Sequence, residues 1–158
     1  MIRTDKRMRL CTALLILNLA FIWGNSLMRG ELSQAFSDFV KALLEVFLPV
    51  GEGTGEGSGL LRKIAHFTEF ACLGLLLTGR AGMKGEGGFR LGSIPVLLGM
   101  AAACVDETIQ IFVPGRSSSL IDVWIDTCGA AAGMILVLFG YHWITNRKRN
   151  KKKLEETT

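Results

Sequence analysis

The chain has 158 residues, 49% of them hydrophobic, and a formal net charge of +4. One domain's worth of sequence with this much apolar content excludes an ordinary soluble fold and points to lipid as its solvent. Four cysteines, Cys11, Cys72, Cys104 and Cys128, form no C-x-x-C pair, which argues against structural zinc and dithiol redox chemistry and leaves them as small packing residues.

In chain order, the first element is the apolar run Leu10 to Met28, close to the ~20 residues a helix needs to cross the hydrocarbon core. Arg3, Lys6, Arg7 and Arg9 precede it as they would in a secretory signal, but no small-x-small cleavage site follows, so it is expected to stay as a span. Residues 31–48 place Leu32, Ala35, Phe36, Phe39, Val40, Leu43 and Phe47 at helical spacing, with Ser33, Gln34, Asp38, Lys41 and Glu45 opposite. This pattern predicts an amphipathic helix lying in the extracytoplasmic interface, because a fifth span would drag Asp38, Lys41 and Glu45 into hydrocarbon. Pro49 ends it, and glycine at every second position from Gly51 to Gly59 reads as a flexible linker, without the GxGxxG spacing of a phosphate cradle.

Three further spans follow, at 60–78, 91–113 and 120–144, so the fold expected is an all-α, four-helix membrane bundle in a single domain over 1–158. The glycine-rich loop Gly79 to Arg90 joins the second and third spans, and Pro114-Gly115-Arg116 turns the third into the fourth as an antiparallel hairpin. With both termini inside, thirteen Lys and Arg lie on the cytoplasmic side and five on the other, the asymmetry expected of cytoplasmic termini. The basic tail at 146–158 is then an orientation anchor rather than a nucleic-acid patch, and no nucleic-acid partner is expected. Trp23 and Trp124 fall near one boundary, Tyr141 and Trp143 near the other, as aromatic belts do; His142 reads as interfacial.

The spans are not uniformly apolar. Arg62, His66 and Glu69, four and three apart, share one face of the second span, with Lys63 beside them. Glu69 lies about 10 Å further along the axis than Arg62, deep in the bilayer. The third span ends with Asp106, Glu107 and Gln110, the turn adds Arg116, and the fourth span begins with Ser117, Ser118, Ser119, Asp122 and Asp126. Antiparallel packing carries all of these to one end of the bundle, and an ionised carboxylate facing lipid is costly enough that they are expected to converge inward. Five acids then face fewer cations, so some acid stays protonated or binds something positive. Paired as Arg62 with Asp122 or Arg116 with Glu107, the groups would serve as interhelical glue. As chemistry, His66 and Glu69 form a candidate acid/base pair, and Arg62, Lys63, Asp106, Glu107, Gln110, Arg116, Asp122 and Asp126 a candidate ligand-binding set. His66 and Glu69 completed by an aspartate could also hold a metal, but one imidazole and no H-E-x-x-H helix leave no metal ligands assigned from sequence, and the cofactor stays open.

The strings Arg62-Lys63-x-x-His66-Phe67-x-Glu69-Phe70-x-x-x-Gly74, Asp106-Glu107-x-x-Gln110-x-x-x-Pro114-Gly115-Arg116 and Asp122-x-x-x-Asp126-x-x-Gly129 resemble the signature of the VanZ-like family, with Phe70 where Tyr is frequent. The resemblance implies a bacterial inner-membrane protein and a relation to lowered susceptibility to teicoplanin, a lipid-bearing glycopeptide antibiotic; it implies no reaction. Three functions are compatible with these residues. The first is a cell-envelope protein whose outward polar pocket binds an anionic lipid head group, a lipid-linked cell-wall precursor or a lipoglycopeptide through Arg62, Lys63 and Arg116. The second is an intramembrane hydrolase or transferase acting on such a precursor through His66 and Glu69, and the third a proton-coupled carrier using Glu69 and Asp126.

Overall fold

The computed structural model describes residues 2–28, 30–31, 35, 38–39 and 57–155. These hold four helices, α1 (Ile2–Leu27), α2 (Gly57–Met83), α3 (Phe89–Ile111) and α4 (Leu120–Glu155). Apart from isolated positions, the interfacial helix expected at 31–48 lies outside the described residues, as do 51–56 of the linker. Gly57, Ser58 and Gly59, expected in that linker, instead form the first turn of α2, and α4 runs on into the basic tail.

Three helices are long and apolar enough to cross a membrane, over Lys6–Leu27, Phe89–Ile111 and Leu120–Arg147. The second expected span is not among them, because Arg62, Lys63, His66 and Glu69 crowd the first half of α2 and Arg80 its end. Packing places it instead. A Cβ added at Gly129 or Gly133 of α4 would strike the backbone of Phe67 or Ala71 of α2, and one at Gly74 would strike Ala130. Small residues thus let the α2 and α4 backbones touch, which matters in lipid, where apolar side chains gain little by leaving one hydrocarbon for another. Gly99 of α3 closes on the methyl of the same Ala130, so three helices meet there. Of the small residues expected on this face, Gly129, Ala130 and Gly133 are buried and Ala132 is half-buried.

The core between α1, α2 and α3 is built on Leu15, Ile22, Phe70, Leu73, Ala102 and Ala103, all buried. Leu10, Ile16, Leu17 and Phe21 on α1, Leu97 on α3, and Ile135, Leu136 and Phe139 on α4 are exposed, the lipid-facing surface of a membrane bundle. Among the cysteines only Cys11 is buried, its thiol directed at the Leu76 carbonyl; Cys72, Cys104 and Cys128 face outward, so the packing role expected of all four holds for one.

Turn chemistry fixes the antiparallel order. Helix α2 closes with Gly85 at a φ of 80°, Glu86 N donating to Ala81 O and Gly85 N to Gly82 O, the paired bonds that satisfy the last carbonyls of a helix. After α3, Gly115 takes a φ of 77° and the chain reverses into α4. Ser119 caps α4, its Oγ accepting from Ile121 N at 3.2 Å. Gly30 N donates to Pro114 O at 3.3 Å, and a Cβ at Gly30 would collide with Gly115 O, so the chain leaving α1 lies against this turn. The end of α1, the start of α2, the end of α3 and the start of α4 therefore share one end of the bundle.

Candidate functional site

At that end, Gln110 of α3 is fully buried and sits at the centre of a polar network. Its Oε1 accepts from Arg62 Nη2 of α2 at 2.6 Å, and its Nε2 donates to Asp106 Oδ2 at 2.9 Å and Glu107 Oε1 at 3.1 Å. Because a guanidinium can only donate and an ionised carboxylate only accept, the amide has one satisfactory orientation. Helices α1 and α4 complete the network. Ser26 Oγ of α1 donates to Asp106 Oδ1 at 2.6 Å, and the Ser119 backbone N–H, which opens α4, donates to Glu107 Oε2 at 2.7 Å.

His66, one turn after Arg62 on the same face of α2, directs Nδ1 at Asp106 Oδ2 and Asp126 Oδ2, 3.8 Å from each. That separation allows attraction but is too long for hydrogen bonding. Asp126 is 0% exposed, yet neither of its oxygens has a hydrogen-bond donor, and His66 Nδ1 also lacks a partner. Glu69 is not hydrogen-bonded to His66. Its Oε1 accepts from Asn25 Nδ2 of α1 at 2.9 Å and its Oε2 is buried without a partner, so the three-residue spacing that puts the two on one face does not join them. The ion pairs Arg62 to Asp122 and Arg116 to Glu107 are also absent among the described residues. Arg62 goes to Gln110, and Arg116 returns to α1, donating to Asn25 O at 2.7 Å and Met28 O at 3.1 Å. Arg116 stands in the turn outside the spans, where partial burial, then the like charge of Arg62, lowers its pKa from the ordinary value.

A cavity of about 270 Å³ opens between α2, the α3–α4 turn and α4. Arg62, Lys63 and His66 line one wall, Asp122 and Asp126 another, with Glu107, Ser117 and Ser119 between. Arg116 and Gln110 lie outside its lining, and Glu69 is set aside towards α1.

A family model described as VanZ/LLP1 matches residues 10–141. The chain belongs to the VanZ/LLP1 family. No curated protein and no solved structure matches it. In this VanZ/LLP1 chain the matched region contains the whole network, including two members that the residue pattern did not single out for the site, Asn25 and Ser26 of α1, while Ser119, expected among the polar residues that open the fourth span, joins through its backbone N–H. The signal for the first two was present, since Asn25-Ser26 is a polar pair closing an otherwise apolar run at the depth where the other spans turn polar. Nothing in the sequence marks a backbone N–H as the partner of a carboxylate twelve residues earlier.

Proposed function

We propose that this membrane protein sits in the bacterial cytoplasmic membrane with both termini inside, opens its cavity to the outer face, and binds there the anionic head group of a cell-envelope amphiphile. The supporting observation is the cavity itself, a polar recess of about 270 Å³ in a bundle that exposes many large apolar side chains, with Arg62 and Lys63 on its wall. Arg62 is held in place by Gln110, so the guanidinium is pre-positioned rather than mobile, which lowers the ordering cost of binding. A head group held at this depth would leave its acyl or prenyl chain beside the exposed apolar faces of α2 and α4, where Ile64 and Ile121 stand. Lipid-linked cell-wall precursors and lipoglycopeptides both combine an anionic group with a hydrocarbon tail, and lowered susceptibility to teicoplanin-type compounds would follow from capture of either.

The test is binding of a polyprenyl phosphate, with the neutral polyprenol as comparison, to the full chain in nanodiscs. The phosphate form is expected to bind more tightly, and Arg62→Ala to weaken it about tenfold or more, the value of a charge-assisted hydrogen bond. Equal binding of the two lipids, or no effect of Arg62→Ala in a protein that keeps its helix content, rejects the reading. A second reading, acid/base chemistry on the bound amphiphile, is supported by His66, which lines the cavity next to Asp126. It requires product formation that His66→Ala abolishes while binding persists.

A further inference from the structure

We propose that His66, Asp106 and Asp126 hold a divalent transition-metal ion of the Zn2+ or Mn2+ class at the floor of the cavity, and that this ion allows an acid-lined recess to accept a phosphate-bearing head group. The second half of the proposal rests on the head-group reading above; the metal site stands on its own geometry. One ligand atom from each residue, drawn from α2, α3 and α4, lies within 4.8 Å of the other two. Both histidine–aspartate separations are 3.8 Å. Metal bonds of about 2.0–2.2 Å to nitrogen and oxygen set tetrahedral neighbours roughly 3.4 Å apart, so each histidine–aspartate pair needs only a few tenths of an ångström of contraction.

An acidic cluster alone would not carry this, and the decisive observation is the state of Asp126. It is 0% exposed, both its oxygens lack a donor, and it faces an imidazole nitrogen that also lacks a partner. Buried polar atoms are nearly always satisfied, and Asp126 Oδ2 and His66 Nδ1, both without a partner and 3.8 Å apart, describe a place for a cation. Asp106 differs in a way that fits a ligand. Ser26 and Gln110 donate to its two oxygens at 2.6 and 2.9 Å, the outer hydrogen bonds that fix the orientation of a ligating carboxylate. One imidazole with two carboxylates suits Zn2+ or Mn2+ better than Mg2+ or Ca2+, which favour all-oxygen surroundings. Three protein ligands also leave a coordination position free, and His66 and Asp126 present that side to the cavity.

Charge supplies the link to the head group. Glu107, Asp122 and Asp126 line the cavity with Asp106 behind them, against only Arg62 and Lys63. Four ionised carboxylates facing two fixed cations would repel a phosphate, and a divalent ion restores the balance and offers the phosphate oxygen a ligand position.

The test uses the full chain in nanodiscs, stripped with chelator and titrated with Zn2+, Mn2+, Mg2+ and Ca2+ by calorimetry, with bound metal counted after desalting. One equivalent of Zn2+ or Mn2+ is expected. Asp126→Asn, which preserves shape, and His66→Ala should each weaken binding about 100-fold or more with helix content retained, and His142→Ala should leave it unchanged. No stoichiometric Zn2+ or Mn2+ binding by folded protein, or binding unaffected by Asp126→Asn, overturns the metal site. Polyprenyl phosphate binding is then measured with and without chelator. Metal binding without phosphate-lipid binding sinks the head-group reading and keeps the ion; phosphate-lipid binding that ignores the chelator and depends on Arg62 keeps the head group and sinks the ion's role.

Discussion

Gln110 connects more of the site than any residue of formal charge. Its amide satisfies Arg62 on one side and Asp106 and Glu107 on the other, so replacing it by the similarly sized Leu leaves one cation and two carboxylates short of partners in a buried setting. Gln110→Leu is expected to destabilise the folded bundle by about 2–4 kcal/mol, measured by equilibrium unfolding in detergent. Ser26→Ala removes one donor, to Asp106 Oδ1, and should cost about 1–3 kcal/mol, less than Gln110→Leu. A reversed order would mean that the network is held by the α1 contact and that the amide is a bystander.

Among the elements, the α2–α4 pair is the framework on which the site depends, because it brings His66 to Asp126 across the helix interface. Its closeness rests on glycine. Gly133→Ala sets a methyl against the Ala71 carbonyl of α2 and should destabilise the bundle by about 1–3 kcal/mol, as overpacking does. Gly24→Ala on α1 meets nothing within 4 Å and should be neutral or stabilising by up to about 1 kcal/mol through helix propensity. Thermal unfolding of the two variants in the same detergent separates close packing from a general intolerance of alanine. At the hairpin, Glu107 accepts from the residue that caps α4, so the same carboxylate both lines the cavity and holds the third helix to the fourth.

For the whole molecule, the orientation decides which compartment the cavity serves. With termini inside, a cysteine placed at Ser117 in the α3–α4 turn should react with an impermeant maleimide added to intact cells, and one at Gly87 in the α2–α3 loop only after lysis, in a background lacking the four native cysteines. The opposite pattern would invert the topology and turn the cavity to the cytoplasm.

Much of this arrangement was legible from residue order alone, because lipid is an exacting solvent. Long apolar runs at α1, α3 and α4 fix spans, the Pro114-Gly115 turn fixes a hairpin, and the cost of exposing Glu69, Asp106 or Asp126 to hydrocarbon requires these groups to face inward. Helical spacing likewise settles which residues share a face. It does not settle which side chains meet. The three-residue step from His66 to Glu69 suggested a pair, yet Glu69 turns to Asn25 of α1 and His66 to aspartates of α3 and α4. Arg62 and Arg116 likewise found an amide and backbone carbonyls instead of carboxylates. Partner choice depends on the rotation and separation of neighbouring helices, which glycine contacts such as Gly133 on Ala71 set across more than fifty residues of chain, and only the packed tertiary structure contains that information.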